Sequence, residues 1–157
     1  MLAHVRGADT VRARIEKLHL GRRFPVVLLA GHLVNQPDSA GLVTAVARHL
    51  TDDGVALFEW HPPSWFDTVT DREGQLGEVR VSLTGAERDG ALLRAVAGYR
   101  ARGRSWEQPF VARRFSEREL RAHLAAAGLG LCDWCTPDRR WFTAARVAQL
   151  APDEYGL

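Results

Sequence analysis

Two histidines close short apolar runs: "VVLLAGH" ends at His32 and "VALFEWH" at His61. An imidazole titrates near neutrality, so two of them in one crevice could deprotonate a hydroxyl or an amine. The competing reading is a pair of exposed loop histidines, and the residues alone leave both open. Asn35 follows His32 by three positions and could hydrogen-bond a ligand carboxylate or cap the following turn. Trp60, Trp65, Tyr99 and Trp106 could form an aromatic wall for a flat or cationic substrate, or could pack as core, as Trp134 and Trp141 are expected to. Cys132 and Cys135 form "CDWC". A zinc site needs two further ligands and no second pair exists. A thioredoxin-like pair stands before a helix, whereas "TPD" follows here. Two reduced cysteines are the expectation, and no metal is implied.

These residues need elements that hold them. The stretch "FPVVLLAGHLVN" opens with a run that lacks polar alternation, which reads as a strand covered on both faces, the pattern of a central parallel strand. Ligands of such sheets bind beyond the carboxyl ends of the strands, where Ala30, Gly31 and His32 fall. Asp38 or Ser39 can cap a helix with Leu42, Val43, Val46 and Leu50 on one face, and "TDDG" closes it. "VALFEWH" is the next strand, which completes a βαβ unit and places His32 and His61 at adjacent strand ends.

Upstream, residues 1–6 read as a helix end, residues 10–15 ("TVRARI") as a short strand, and residues 18–23 as a polar link. After "HPPSWF" the pattern changes. "EVRVSL" alternates, with Val79, Val81 and Leu83 on one face, and residues 92–115 read as two antiparallel strands turning near Gly103. Ser116 and Glu119 form a capping box for a helix carrying Leu120, Leu124 and Ala127 and stopped by Gly128. "LGLCDW" and "RRWFTAARV" are a closing strand pair, and "APDEYGL" is a loose tail.

Composition bounds the function classes. The 157 residues suit one domain, residues 1–157, and their 46% apolar and 25% charged content is that of a globular protein. No apolar run approaches the roughly 20 residues of a membrane span, and no signal peptide opens the chain, so a cytoplasmic protein without a membrane partner is expected. The net charge of +2, with arginines scattered among acids, gives no nucleic-acid footprint.

In order and spacing the chain resembles the C-terminal two-thirds of class I S-adenosylmethionine-dependent methyltransferases. "RRFPVVLLAGHLVN" is similar to that family's fourth strand and following loop, and "LTDDGVALFEWHPP" to the turn and fifth strand. "GYRARGRSWEQPFVARRFSERELRAHLAAAGLGLCDW" with "DRRWFTAARV" is similar to the terminal part of its small-molecule members. The implied fold is α/β: an incomplete Rossmann-like sheet, parallel strands with helices, an antiparallel insertion and a C-terminal antiparallel pair. The implied activity is methyl transfer to a small-molecule substrate, of the kind found in specialised metabolism, with His32 and His61 as catalytic candidates. Ile15, Glu16, Ala30, Gly31, His32, Leu33 and Asn35 take the cofactor-side positions. Trp60, Trp65, Tyr99 and Trp106 take the substrate side.

One departure outweighs the rest. The family's glycine-rich turn, an acidic residue followed by x-G-x-G, occurs nowhere in the sequence, and the acidic residue that grips the cofactor ribose is also missing. The chain opens where half of the cofactor site should already stand, and Arg14 occupies a place where the family often has Asp. Weak or absent S-adenosylmethionine binding by this chain alone is therefore expected. So is a homo-oligomer or a completing chain, because strand four would present an open edge. A non-catalytic remnant or partner subunit, or a scaffold reused for another reaction, are the alternative readings.

Overall fold

The computed structural model describes residues 5–149. The expected helix end at residues 1–6 and the tail at residues 151–157 fall wholly or largely outside them, and Val5 and Arg6 are irregular. The described residues build two four-stranded sheets. The first holds β1 (Phe24–Leu29), β2 (Leu50–Glu59), β7 (Leu129–Trp134) and β8 (Trp141–Arg146), in the spatial order β1-β2-β8-β7. β1 and β2 are parallel, and the other pairs are antiparallel. The second is an antiparallel meander of β3 (Arg72–Leu76), β4 (Val79–Asp89), β5 (Leu92–Ala101) and β6 (Arg104–Arg113).

Three helices serve these sheets. α1 (Ala40–His49) joins β1 to β2, α2 (Pro63–Thr68) leads into the meander, and α3 (Glu117–Ala125) leads out of it. The expected capping box opens α3: Ser116 Oγ accepts from the Glu119 amide, and Glu119 Oε2 accepts from the Ser116 amide. Leu120 and Leu124 are buried beneath it. Ser39 precedes α1 but makes no capping bond, because its hydroxyl bonds His123 Nε2 at 2.9 Å. The meander turns at Arg102 and Gly103, both with positive φ, as the hairpin motif requires.

The core lies between one face of the first sheet and helices α1 and α3. In-register rows Val27–Ala56–Ala144 and Leu29–Phe58–Phe142 line that face, and Val43, Val46, Leu120 and Leu124 cover it. A second, smaller cluster of Phe66, Val69, Leu93 and Ala112 ties α2 to the meander. Arg88 reinforces it by donating to the Phe66 and Val69 carbonyls.

Three expectations change. β1 is covered on one face only: Val26 and Leu28 are 66% and 57% exposed, beside Val55 at 41%. The sequence pattern is that of a two-sided strand, but the described residues supply helices to one side. Residues 10–15 form no strand. Their alternation suits one, yet β1's outer edge has no paired neighbour among the described residues, and an unpaired strand leaves its own amides unsatisfied. A short 3-10 turn, Ile15–Lys17, instead lies against α1 at Gly41, where an added Cβ would come within 3.1 Å of Glu16. The link after it is held to the end of α1, where Leu20 donates its amide to His49 Nε2 and Arg48 bonds the Leu18 carbonyl. Finally, "TDDG" is no terminator. β2 begins at Leu50, directly after the helix, and residues 51–54 form an irregular detour opposite Pro25.

The uncovered edge and face of β1 have a measurable consequence. An open strand edge beside exposed valine and leucine invites pairing with another chain. Light scattering after size exclusion is expected to show a mass above one chain that rises with concentration, and the double substitution V26K/L28K should return it to one chain. A monodisperse wild-type monomer over the same range would show the edge to be inert.

Candidate functional site

The parallel pairing of β1 with β2 brings the two strand ends together, and the meander stands opposite them. Between lies a cleft of about 740 Å3. Gly31, His32, Leu33 and Asn35 line one side, His61 and Trp65 the base, and Tyr99, Gln108 and Phe110 the meander side. Three rings stack through it. His32 and His61 lie 3.6 Å apart between centroids, and His61 and Trp65 3.5 Å.

Gly31 and His32 both adopt positive φ, 73° and 57°. Glycine does so without cost, whereas histidine in that region needs support from its surroundings. Glu59, the last residue of β2, supplies it: Oε2 accepts the Gly31 amide at 2.8 Å, and Oε1 lies 3.4 Å from His32 Nε2. Arg140, just before β8, places Nη2 3.2 Å from His32 Nε2 and 3.6 Å from Glu59 Oε1. Neither Glu59 nor Arg140 stands out in the sequence as a site residue. The signal for Glu59 was its position, since it ends the strand adjacent to the one that carries His32.

Asn35 has a structural task. It is fully buried, its Oδ1 accepts the His61 amide at 2.7 Å, and its Nδ2 donates to the carbonyls of His61 and Arg113. Its amide group is thereby fully engaged by the backbone, so it orders the site instead of binding a cofactor carboxylate. One side chain joins the loops after β1 and β2 to the end of β6.

Electrostatics sharpen the roles. Burial, then the neighbouring His32, Arg140 and Arg72, pushes the His61 imidazole down to about 2. That shift favours the neutral ring and makes it a weaker proton acceptor than the free imidazole that the sequence suggests. Burial lowers His32 as well; Glu59 and the Trp60 carbonyl oppose that shift and Arg140 adds to it.

The aromatic wall is smaller than expected. Trp60 is 2% exposed, stacks on Trp134 and donates Nε1–H to the Arg139 carbonyl at 2.5 Å. It shares strand parity with Phe58, so it turns into the core. Trp65 and Tyr99 line the cleft, whereas Trp106, across the hairpin from Tyr99, does not. On the cofactor side, Gly31, His32, Leu33 and Asn35 line the cleft and Ala30 does not. Ile15 and Glu16 lie away from it on the α1 side, Glu16 paired with Arg14.

A parallel strand pair joined by a helix, an antiparallel insertion and a closing antiparallel pair together define the C-terminal part of the class I S-adenosylmethionine-dependent methyltransferase fold. Solved structures agree. A methyltransferase from Clostridium acetobutylicum superposes with a TM-score of 0.66 at 18% identity, over 84% of this chain and 61% of that one. The sugar N-methyltransferase KedS8 from Streptoalloteichus gives 0.66 at 24%, over 92% and 65%. DesVI from Streptomyces venezuelae gives 0.63 at 21%, over 85% and 63%. The likeness is one of fold, and the chain spans 61–65% of the length of these proteins. No protein-family model and no curated protein sequence matches the chain.

The described residues do not make a site for the cofactor the fold implies. The acidic-x-G-x-G turn is missing from the sequence, Ile15 and Glu16 lie elsewhere, Asn35 is engaged by backbone, and Val26 and Leu28 are bare on the uncovered face of β1.

Two measurements check this site. Asn35→Ala strands three backbone groups, each worth about 1–3 kcal/mol when buried and unpaired. A loss of several kcal/mol is expected in denaturant unfolding, and a change below about 1 kcal/mol would refute the clamp. The second concerns acid. His61, His32 and His123 all have folded pKa values below the usual 6.5. The unfolded chain therefore binds more protons as pH falls below about 6.5, and stability drops with it. For His61 that loss continues toward pH 2, at up to about 1.4 kcal/mol per pH unit. Between pH 7 and 5, His61→Gln should flatten the dependence of the urea midpoint on pH; an unchanged slope would mean that the ring is not held neutral.

Proposed function

We propose that this chain is the acceptor-binding part of a small-molecule methyltransferase that uses S-adenosylmethionine, with its cofactor site completed by polypeptide outside these 157 residues. The observation that carries the reading is the cleft itself: it lies beyond the carboxyl ends of two parallel strands, and the meander closes it from the other side. Ligands of open α/β sheets bind at that end.

An amine is the acceptor that the cleft suits. A hydroxyl must lose its proton to become a good nucleophile, and burial makes both cleft imidazoles weaker bases than a free one. A neutral amine already carries its lone pair and releases a proton to solvent after transfer. The residues of the chain then bind and orient: Trp65 and Tyr99 offer faces for an apolar ring surface, while Gln36 and Gln108 offer polar contacts to a substrate such as an amino sugar. Solved relatives of the fold include a sugar N-methyltransferase and an amino pentose methyltransferase, which supports that choice. The second reading, a non-catalytic partner subunit, is favoured by the missing glycine-rich turn.

Calorimetry separates the parts. Titration of a panel of amino sugars into the chain is expected to give saturable binding that Trp65→Ala weakens at least tenfold, while S-adenosylmethionine gives no detectable heat. Tight, stoichiometric cofactor binding would show that the pocket is complete after all, and His32→Ala and His61→Ala should then be assayed for methyl transfer. Absence of amine binding would leave the acceptor reading without support and favour the partner subunit.

A further inference from the structure

His32 Nε2 faces two groups that make opposite demands. Arg140 Nη2, 3.2 Å away, is a donor only, so that contact is favourable when Nε2 carries no hydrogen. Glu59 Oε1, 3.4 Å away, is an acceptor, and would be served by an Nε2–H. Geometry favours the first. The Arg140 contact is a hydrogen bond, whereas the Glu59 contact is a looser ion-pair separation, and the other oxygen of Glu59 is engaged by the Gly31 amide. With Nε2 protonated, two N–H groups would confront each other at 3.2 Å. With Nε2 bare, Arg140 also stays beside Glu59, at 3.6 Å, and the three groups form a consistent chain of donor to acceptor.

A neutral imidazole has one proton, so it then sits on Nδ1. That atom is buried, on a ring that lines the cleft, and the Trp60 carbonyl lies beside the ring as an acceptor. The ring is fixed in place by its stack on His61, by the left-handed turn at Gly31 and His32, and by Glu59 holding that turn.

We infer that Arg140 is a positioning residue that holds His32 in its Nδ1–H tautomer, so that Nε2 accepts from Arg140 and the one ring proton stays on the buried Nδ1. Glu59 has a different part: it fixes the backbone of the turn. The tautomer follows from this geometry alone.

The test needs no methyl transfer. Long-range proton–nitrogen correlation spectra of the 15N-labelled full chain at neutral pH report which ring nitrogen of each histidine is protonated, and His32→Asn identifies the signals of His32. The wild type is expected to show His32 protonated at Nδ1 and bare at Nε2. Arg140→Lys, which keeps a donor, should preserve that pattern. Arg140→Ala should lose it, the proton moving to Nε2 toward Glu59, while Glu59→Gln should leave it in place. A wild-type His32 protonated at Nε2 overturns the inference whatever the variants do. So does a pattern unchanged in a folded Arg140→Ala, with backbone amide spectra reporting that the fold is retained. Either result would leave the amine-binding experiment above unaffected, and a failure of amine binding would leave the tautomer assignment standing.

Discussion

The parallel pairing of β1 with β2 is the constraint on which the site depends. Parallel strands end at the same edge of a sheet, so the loop after Leu29 and the residues after Phe58 emerge side by side. That alone brings His32 to His61, and Glu59 to the Gly31 amide. Antiparallel neighbours would have sent the two ends to opposite edges. The long connection that parallel pairing demands is α1, and its buried residues Val43 and Val46 seal the face beneath Leu29 and Phe58.

The meander turns a strand edge into a cleft, and Asn35 is where the two meet. Its side chain reaches the backbone of His61 and the carbonyl of Arg113, seventy-eight positions further along. The site is thus held from both sheets at one buried amide. Arg114 adds a two-pronged contact with Asp67 of α2 at 3.2 Å, but both partners are partly exposed, and such a pair contributes little beside a buried network. The division of labour is physical: buried amide bonds fix the frame, stacked rings fill the base of the cleft, and Glu59 and Arg140 hold the turn and ring of His32.

Much of this was legible where the determinant was local. Ser116 and Glu119 announce the start of α3, Arg102 and Gly103 fall where the hairpin turns, and the alternation of Val79, Val81 and Leu83 marks one face of β4. The meeting of His32 and His61 was legible because it follows from two strand ends. Long-range partners were not. Nothing near Arg140 in the chain signals a histidine 108 positions away, and a lone Asn35 offers a cap, a ligand contact and a clamp equally well. Trp60 was a missed parity argument, since Ala56, Phe58 and Trp60 alternate onto one buried face. The strand expected at residues 10–15 shows the limit of patterning: alternation describes a side-chain arrangement, but a strand exists only where a neighbour takes its hydrogen bonds.

The same principle explains the one place where sequence and structure disagree most. Phe24–Leu29 reads as a strand buried on both sides, and its composition suits that environment. In the described residues it has a neighbour on one side and helices over one face, while Val26, Leu28 and Val55 stand uncovered. Sheet edges of soluble proteins are commonly blunted with charge, and the alternate residues of β1 that point away from the core carry none. Pro25, which removes one amide near the strand's start, is the only such device in the strand. A sequence shaped for a two-sided environment therefore stands, among the described residues, in a one-sided one. Among the described residues nothing pairs with the outer edge of β1 or covers Val26 and Leu28, and that accounts for the exposed apolar face.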